Sequence, residues 1–142
     1  MSVSHKSPSP STNLKEIRHA AAAARILVIE DDPDLIEALC ELLNIYGYTA
    51  SRAADGIAAL ETLQHGDLPD LILLDLMLPR LDGWGFREAQ LNDQRLKDIP
   101  VIVLSAVGEI VKPIEADHLL RKPVSPETLF ASIERFRRRP SA

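Results

Sequence analysis

The chain has 142 residues, 46% of them apolar, and a formal charge of −5. That is one domain of ordinary size with enough apolar material for a core, which excludes wholesale disorder. No apolar run approaches the ~20 residues of a membrane span, Met1 to Pro10 lacks the apolar stretch of a signal peptide, and the single cysteine, Cys40, excludes an internal disulfide and a multi-cysteine zinc site. A cytoplasmic location is expected. The charge is uneven: Lys6, Lys15 and Arg18 against Glu16 leave residues 1–24 at +2 and the remainder at −7. An acidic body argues against nucleic acid as the main partner. Arg137-Arg138-Arg139 is too short to reverse this and reads as a solvated helix end, where cations suit the helix dipole.

Residues 1–13 are Ser/Pro-rich and read as a disordered tail, and Leu14 to Ala24 has the composition of a short helix. The folded unit is expected over residues 25–138, with 139–142 as a C-terminal tail. Ile26-Leu27-Val28-Ile29 reads as a buried strand ending in acids. Asp32 as N-cap and Pro33 in the first turn open a helix with Leu35, Ile36, Leu39, Leu42 and Leu43 on one face, closed by Gly47. Thr49 to Ala53 is a second strand. Asp55-Gly56 starts a second helix with Ile57, Leu60 and Leu63 inward, ending at Gly66. Leu71-Ile72-Leu73-Leu74 is the most apolar run and the expected central strand. Pro79 and Asp82-Gly83 make a loop, and Trp84 to Leu91 a third helix. Val101 to Leu104 is a fourth strand and His118-Leu119-Leu120 a weak fifth. Ser125-Pro126 caps a last helix with Leu129, Ile133 and Phe136 inward. Strands alternating with helices imply a parallel sheet covered on both faces.

In such sheets ligands bind beyond the carboxyl ends of the strands. The residues there are Glu30-Asp31-Asp32, Asp75, Ser105 and Lys122. Clustered carboxylates repel one another, so such a group raises a pKa or recruits a cation. All-oxygen ligands without His or Cys suit Mg²⁺ before zinc. A lysine and a hydroxyl beside them are equipment for stabilising a phosphoryl group in transfer, and a carboxylate can itself be the nucleophile. Asp75 follows the most buried strand and is the best candidate. Each signal alone has a plainer reading: Asp32 as a helix cap, Asp75 as a turn residue, Lys122-Pro123 as nothing in particular. Four of them at four strand ends of one sheet carry more.

Ile26 to Asp32, Leu71 to Pro79 with Asp82-Gly83, Ile99 to Ala106 and Lys122-Pro123 together resemble the receiver domain of bacterial two-component response regulators. The resemblance runs from about Arg25 to Arg138. It implies a doubly wound, flavodoxin-like α/β fold with a five-stranded parallel sheet in the order 2-1-3-4-5. Asp75 would be the phosphorylated aspartate. Asp31 would bind Mg²⁺ directly, Glu30 through water, and the Met77 carbonyl would be a further ligand. Ser105 would hydrogen-bond the phosphoryl group and Lys122 would neutralise it, with a cis bond to Pro123. A histidine kinase or a histidine phosphotransfer protein would be the donor and a downstream protein the receiver of the signal. The implied role is that of a phosphoacceptor switch, not an enzyme, with no attached output domain.

The sequence departs from the family's pattern at two places. Ser105 to Lys122 spans 17 positions, roughly five fewer than usual, so the fourth helix is shortened or missing, and Pro113 interrupts what is left. Leu119 stands where the family carries a Tyr or Phe switch. Met77 and Val107 occupy the positions that tune phosphate lifetime; both are apolar and neither can orient an attacking water. A haloacid-dehalogenase-type phosphatase would need a second Asp two positions after Asp75, and Met77 stands there. A degenerate receiver that binds partners without phosphorylation is the remaining alternative.

Overall fold

The computed structural model describes residues 24–106 and 108–139. Five strands, β1 (Arg25–Ile29), β2 (Thr49–Ala53), β3 (Leu71–Asp75), β4 (Val101–Ser105) and β5 (His118–Arg121), form one parallel sheet in the order β2-β1-β3-β4-β5. Four helices, α1 (Pro33–Ile45), α2 (Gly56–Leu63), α3 (Gly83–Leu91) and α4 (Pro126–Phe136), connect or follow them. The doubly wound expectation holds. No helix lies between β4 and β5 among the described residues, as the short Ser105–Lys122 spacing implied.

Strand alternation divides the core in two. Ile26, Val28, Leu71, Leu73, Ile102, Leu104 and Leu120 face α1 and α4, where Ile36, Leu39, Cys40, Leu43, Leu129 and Ile133 meet them. Leu27, Ile29, Ile72, Leu74, Val101 and Val103 face α2 and α3, against Ala59, Leu63 and Phe86. β3 is buried along its whole length, as expected of the central strand.

Helix ends follow the local chemistry. Asp32 accepts from the Asp34 and Leu35 amides at 3.0 and 3.3 Å, so it is the N-cap its position suggested. At the other end of α1, Tyr48 N–H donates to the Leu43 carbonyl and Gly47 N–H to that of Asn44, with Gly47 at φ 98°. This is the paired C-terminal closure that glycine permits. Asp55 and Ser125 cap α2 and α4 in the same way, through Ala58 and Thr128.

Several details differ from the sequence reading. The buried face of α2 is Gly56, Ala59 and Leu63, and Ile57 is only half-buried. A Cβ on Gly56 would lie 2.4 Å from the Leu81 carbonyl oxygen, so the helix approaches the β3–α3 loop through its small residues. α2 stops at Leu63 rather than running to Gly66, and α3 begins at Gly83, one residue before Trp84. His118 is half-buried and stacks on Phe136 with centroids 4.9 Å apart. The Arg137–Arg139 run lies beyond α4 and is not simply solvated. Arg137 and Arg139 fold back onto Glu134, and Arg138 donates to the Pro69 carbonyl. A run of cations with acidic and carbonyl partners in reach is drawn to them rather than to water. The expected tail and its helix lie outside the described residues except for Ala24, which is buried and accepts from the Thr49 N–H. No helix among the described residues is long and apolar enough to cross a membrane.

Candidate functional site

The carboxyl ends of β1, β3, β4 and β5 converge, as parallel pairing requires. Leu74 lies opposite Ile29 and Val103, and Asp75 opposite Leu104. Asp75 is the last residue of β3, and Glu30 and Lys122 each follow the end of a strand, so their side chains meet beyond the sheet. Lys122 Nζ lies 3.1 Å from Glu30 Oε1 and 3.2 Å from Asp75 Oδ1. Glu30 and Asp75 are each 3% exposed. Asp31, next along, is exposed, and one carboxylate oxygen from each of Glu30, Asp31 and Asp75 lies within 4.8 Å of the others. Glu30 Oε2 also accepts from the Asp32 N–H at 3.1 Å, which fixes its carboxylate.

Ser105 ends β4 and is buried; its carbonyl accepts from the Lys122 N–H at 2.7 Å, tying the β4 end to the lysine. The Lys122–Pro123 bond is cis, as the resemblance implied. Met77, two residues past Asp75, is 54% exposed. Leu119 is 42% exposed, so no buried group replaces the aromatic switch at that position. Val107 lies outside the described residues. The structure therefore gathers Glu30, Asp31, Asp75 and Lys122 into one contact group; Ser105 ends the neighbouring strand β4, and Met77 lies two residues past Asp75.

The electrostatics follow from burial. Removing the Asp75 carboxylate from water, with the Glu30 charge beside it, raises its pKa; Lys122 opposes this without cancelling it, and Glu109 adds to the rise. Asp75 is pushed up to about 6. For Lys122, burial acts to lower the pKa, but Glu30 and Asp75 together outweigh it and hold the ammonium above its usual range. Three carboxylates and one ammonium at a strand-end crevice form an oxygen-rich donor set that fits a hard divalent cation.

Sequence reasoning missed how the β3–α3 loop is held. Arg80 binds Asp55 through two hydrogen bonds of 2.9 and 3.1 Å, and the Gly56 N–H donates to the Leu81 carbonyl. Arg80 has a φ of 63°, a left-handed conformation costly for a residue with a Cβ. The Asp55 pair anchors the far end of its side chain. Gly83 closes the loop, its N–H donating to the Leu76 carbonyl at 2.8 Å. A Cβ at Gly83 would lie 2.7 Å from Leu76 Cα. The loop carrying Met77 is thus fixed at both ends. An Asp-Gly pair at residues 55–56 was visible in the sequence; that Asp55 reaches across to Arg80 was not.

A doubly wound sheet with carboxylates and a lysine at its strand ends defines a receiver-type α/β domain. Residues 26–134 match the family described as the response regulator receiver domain, and the chain belongs to that family. It is the receiver domain of a two-component response regulator, a signalling class rather than a class of conventional enzymes. It is 39% identical over 120 residues to the DNA-binding dual master transcriptional regulator RpaA of a Synechocystis strain, covering 81% of this chain and 49% of that protein. Over 122 residues it is 40% identical to the phosphate regulon transcriptional regulatory protein PhoB of Escherichia coli, covering 82% of this chain and 53% of that one. The chain thus spans about half the length of these curated relatives. Among solved structures it resembles the chemotaxis response regulator CheY4 of Vibrio cholerae, with 28% identity and a TM-score of 0.73 over 81% of this chain and 99% of that one. It also resembles the receiver domain of a sensor histidine kinase from Pseudomonas aeruginosa, with 25% identity and a TM-score of 0.73 over 81% of this chain and 98% of that one. That structure holds a magnesium ion in its active-site cleft.

Proposed function

We propose that this domain, over residues 25–138, is a switch whose phosphoryl acceptor is Asp75. The observation that carries the reading is the Lys122 ammonium within 3.2 Å of the buried Asp75 carboxylate, in a cluster of three carboxylates. Mg²⁺ would be held by Glu30, Asp31 and Asp75, with the Met77 carbonyl completing the set. The ion supplies neutralising charge for the phosphoryl oxygens when bound. An Asp75 oxygen attacks the phosphorus of a phosphohistidine; the P–O bond forms, the P–N bond breaks, and the imidazole nitrogen leaves with the electron pair and takes a proton from solvent. Lys122 stays paired with the modified side chain, exchanging its carboxylate contact for a phosphoryl oxygen. Ser105, at the end of the neighbouring strand, donates its hydroxyl proton to another.

The donor class is a histidine kinase or a histidine phosphotransfer protein, and the changed surface engages a downstream protein in the cytoplasm. The −7 charge of residues 25–142 disfavours direct nucleic-acid contact by this part of the chain. DNA binding in the printed name of the Synechocystis relative belongs to that protein. The absence of a helix between β4 and β5 among the described residues and the exposed Leu119 favour a second reading, a partner-binding module that needs no phosphate.

Incubation with acetyl phosphate and Mg²⁺ separates the two. Intact mass rises by one phosphoryl group in the wild type and stays unchanged in Asp75→Asn. No adduct from acetyl phosphate or from any phosphohistidine donor would leave the phosphate-independent module standing.

A further inference from the structure

The β4–β5 connection brings one more carboxylate to this site. Glu109 Oε1 accepts a hydrogen bond from the Ala106 N–H at 2.8 Å, while the Glu109 N–H donates to the Ala106 carbonyl at 3.2 Å. Ala106 directly follows Ser105, at the end of the strand that pairs with β3. An amide just past a strand end, beside a buried carboxylate, is a donor that an anion formed there would seek. In this chain the donor is already taken by an anionic side chain of its own. The Glu109 charge is also felt at Asp75, where it opposes a second negative charge.

We propose that Glu109 is a built-in competitor for the phosphoryl group, holding the Ala106 amide while Asp75 is unmodified and expelled when Asp75 carries phosphate. The inference rests on the reading of Asp75 as the acceptor. Phosphorylation replaces a single carboxylate charge by roughly −1.5 to −2 and adds strong acceptor oxygens. Repulsion of Glu109 rises and a stronger acceptor arrives for the same N–H, so both effects favour release.

The rest of the connection is fixed farther along. Trp84 Nε1 donates to the Lys112 carbonyl at 3.4 Å, with the Lys112 ammonium 5.4 Å from the indole centroid, and Arg87 Nε donates to the Glu115 carbonyl at 2.7 Å. Release of Glu109 therefore acts on the stretch before Lys112, where Ile110 is 39% and Val111 78% exposed. Val111 and Glu109 line a cleft of about 720 Å³ together with Met77, Leu78 and Trp84. Expulsion of Glu109 turns a change of charge at Asp75 into a change of shape in a cleft that mixes Met77, Leu78, Trp84 and Val111 with Asp82 and Lys112, a readout that needs neither a helix between β4 and β5 nor an aromatic residue at position 119.

The test uses the full chain, with acetyl phosphate and Mg²⁺ as the probe. Intact mass reports the adduct, and the ¹⁵N-resolved Ala106 amide resonance reports its hydrogen bond. In the wild type that resonance moves on phosphorylation. In Glu109→Ala it is already displaced before modification. Glu109→Gln keeps an acceptor but loses the charge, so it holds the resting resonance and is phosphorylated roughly five-fold faster, as loss of one like charge near the site predicts. An adduct with an unmoved Ala106 resonance overturns this inference alone. Coincident resting resonances in wild type and Glu109→Ala also overturn it, as does an unchanged rate in Glu109→Gln. A wild type that takes no adduct overturns the acceptor reading, and this inference with it.

Discussion

The Lys122 ammonium lies 3.2 Å from Asp75 Oδ1 and 3.1 Å from Glu30 Oε1, and its own side chain is 21% exposed. One cation thus answers two buried carboxylates. Removing it leaves both carboxylates, each 3% exposed, without their cation. Lys122→Met is expected to lose about 3–5 kcal/mol at pH 7 in the absence of divalent ions, the usual result of breaking a buried pair from one side. Mg²⁺ should return part of that loss by replacing the missing charge. Urea unfolding with EDTA and with Mg²⁺ measures both. A variant as stable as wild type in EDTA would show that the pair contributes nothing.

Asp75 sets a pH dependence with a definite sign. Its folded-state pKa, about 6, lies above the ordinary 3.8, so between those values the folded state binds more protons than the unfolded chain. Stability from this group is fully present below pH 3.8 and is lost as pH rises through about 6. The difference corresponds to about 3 kcal/mol at neutral pH. Asp75→Asn in EDTA should therefore be the more stable protein by about that amount at pH 7, with the advantage gone near pH 4. Mg²⁺ stabilises the wild type in this reading and does little for the variant. Denaturation curves from pH 4 to 8 test it, and an equal gain at both ends would contradict the assignment.

Tyr48 and Glu134 form a second coupled pair, its two members 86 positions apart in sequence. The phenol donates to Glu134 Oε2 at 2.6 Å, and Arg137 Nε donates to the same oxygen at 2.7 Å. Burial works against the Glu134 charge, but these two donors outweigh it and hold the carboxyl below its ordinary range, while burial and Glu134 push the phenol up. A depressed carboxyl adds stability above pH 4.5 that disappears as pH falls through its folded-state value. Tyr48→Phe should cost about 1.5–3 kcal/mol at pH 7, and less in acid once Glu134 is protonated in both proteins. Thermal melts at pH 7 and pH 3 measure the contrast.

These pairs show what was legible in the sequence and what was not. The strands read clearly because fully buried parallel strands are short apolar runs, and Leu71 to Leu74 allowed no other reading. That Glu30, Asp31, Asp75, Ser105 and Lys122 stand at strand ends was legible because the alternation of strands and helices fixes where each strand stops before any side chain is placed. Ile57 misled because periodicity weights large apolar residues, whereas α2 approaches its neighbour through Gly56 and Ala59. Contacts made by long polar side chains left no local signal. Arg80 reaches Asp55 across 25 positions, and Arg87 joins the buried Gln90 to the carbonyl of Glu115. The Glu109–Ala106 contact spans only three residues, yet it depends on a turn that composition does not announce.

The loop after β3 is a place where geometry and function separate. Gly83→Ala would set a Cβ 2.7 Å from Leu76 Cα and 2.9 Å from the Asp75 carbonyl oxygen, so backbone must shift. The expected cost is about 1–3 kcal/mol, with weaker Mg²⁺ binding because the displaced segment carries Met77. Gly66→Ala is the control. Its φ of 78° makes alanine unfavourable by about 1 kcal/mol, but the space around it is open, and Mg²⁺ affinity should not change. Isothermal titration with Mg²⁺ beside urea unfolding resolves the two effects. Equal affinity losses in both variants would refute the special position of Gly83.

A phosphoryl group on Asp75 would persist for as long as no water is held in line to attack it. Hydrolysis needs a water aligned opposite the leaving carboxylate oxygen, and alignment needs a polar side chain near its path. Met77, two residues past Asp75, offers a thioether, and Val107, two residues past Ser105, offers only methyl groups. Neither accepts or donates a strong hydrogen bond. Met77 is 54% exposed, so water reaches the region and its orientation, not its access, is what is missing. The phosphorylated protein should therefore outlast a few seconds in Mg²⁺ buffer without a phosphatase. Met77→Asn, which introduces an amide beside the same path, should shorten that lifetime by about ten-fold or more. Loss of the adduct mass with time follows both proteins. Decay within seconds in the wild type, or an unchanged lifetime in the variant, would show that water is oriented by some other group.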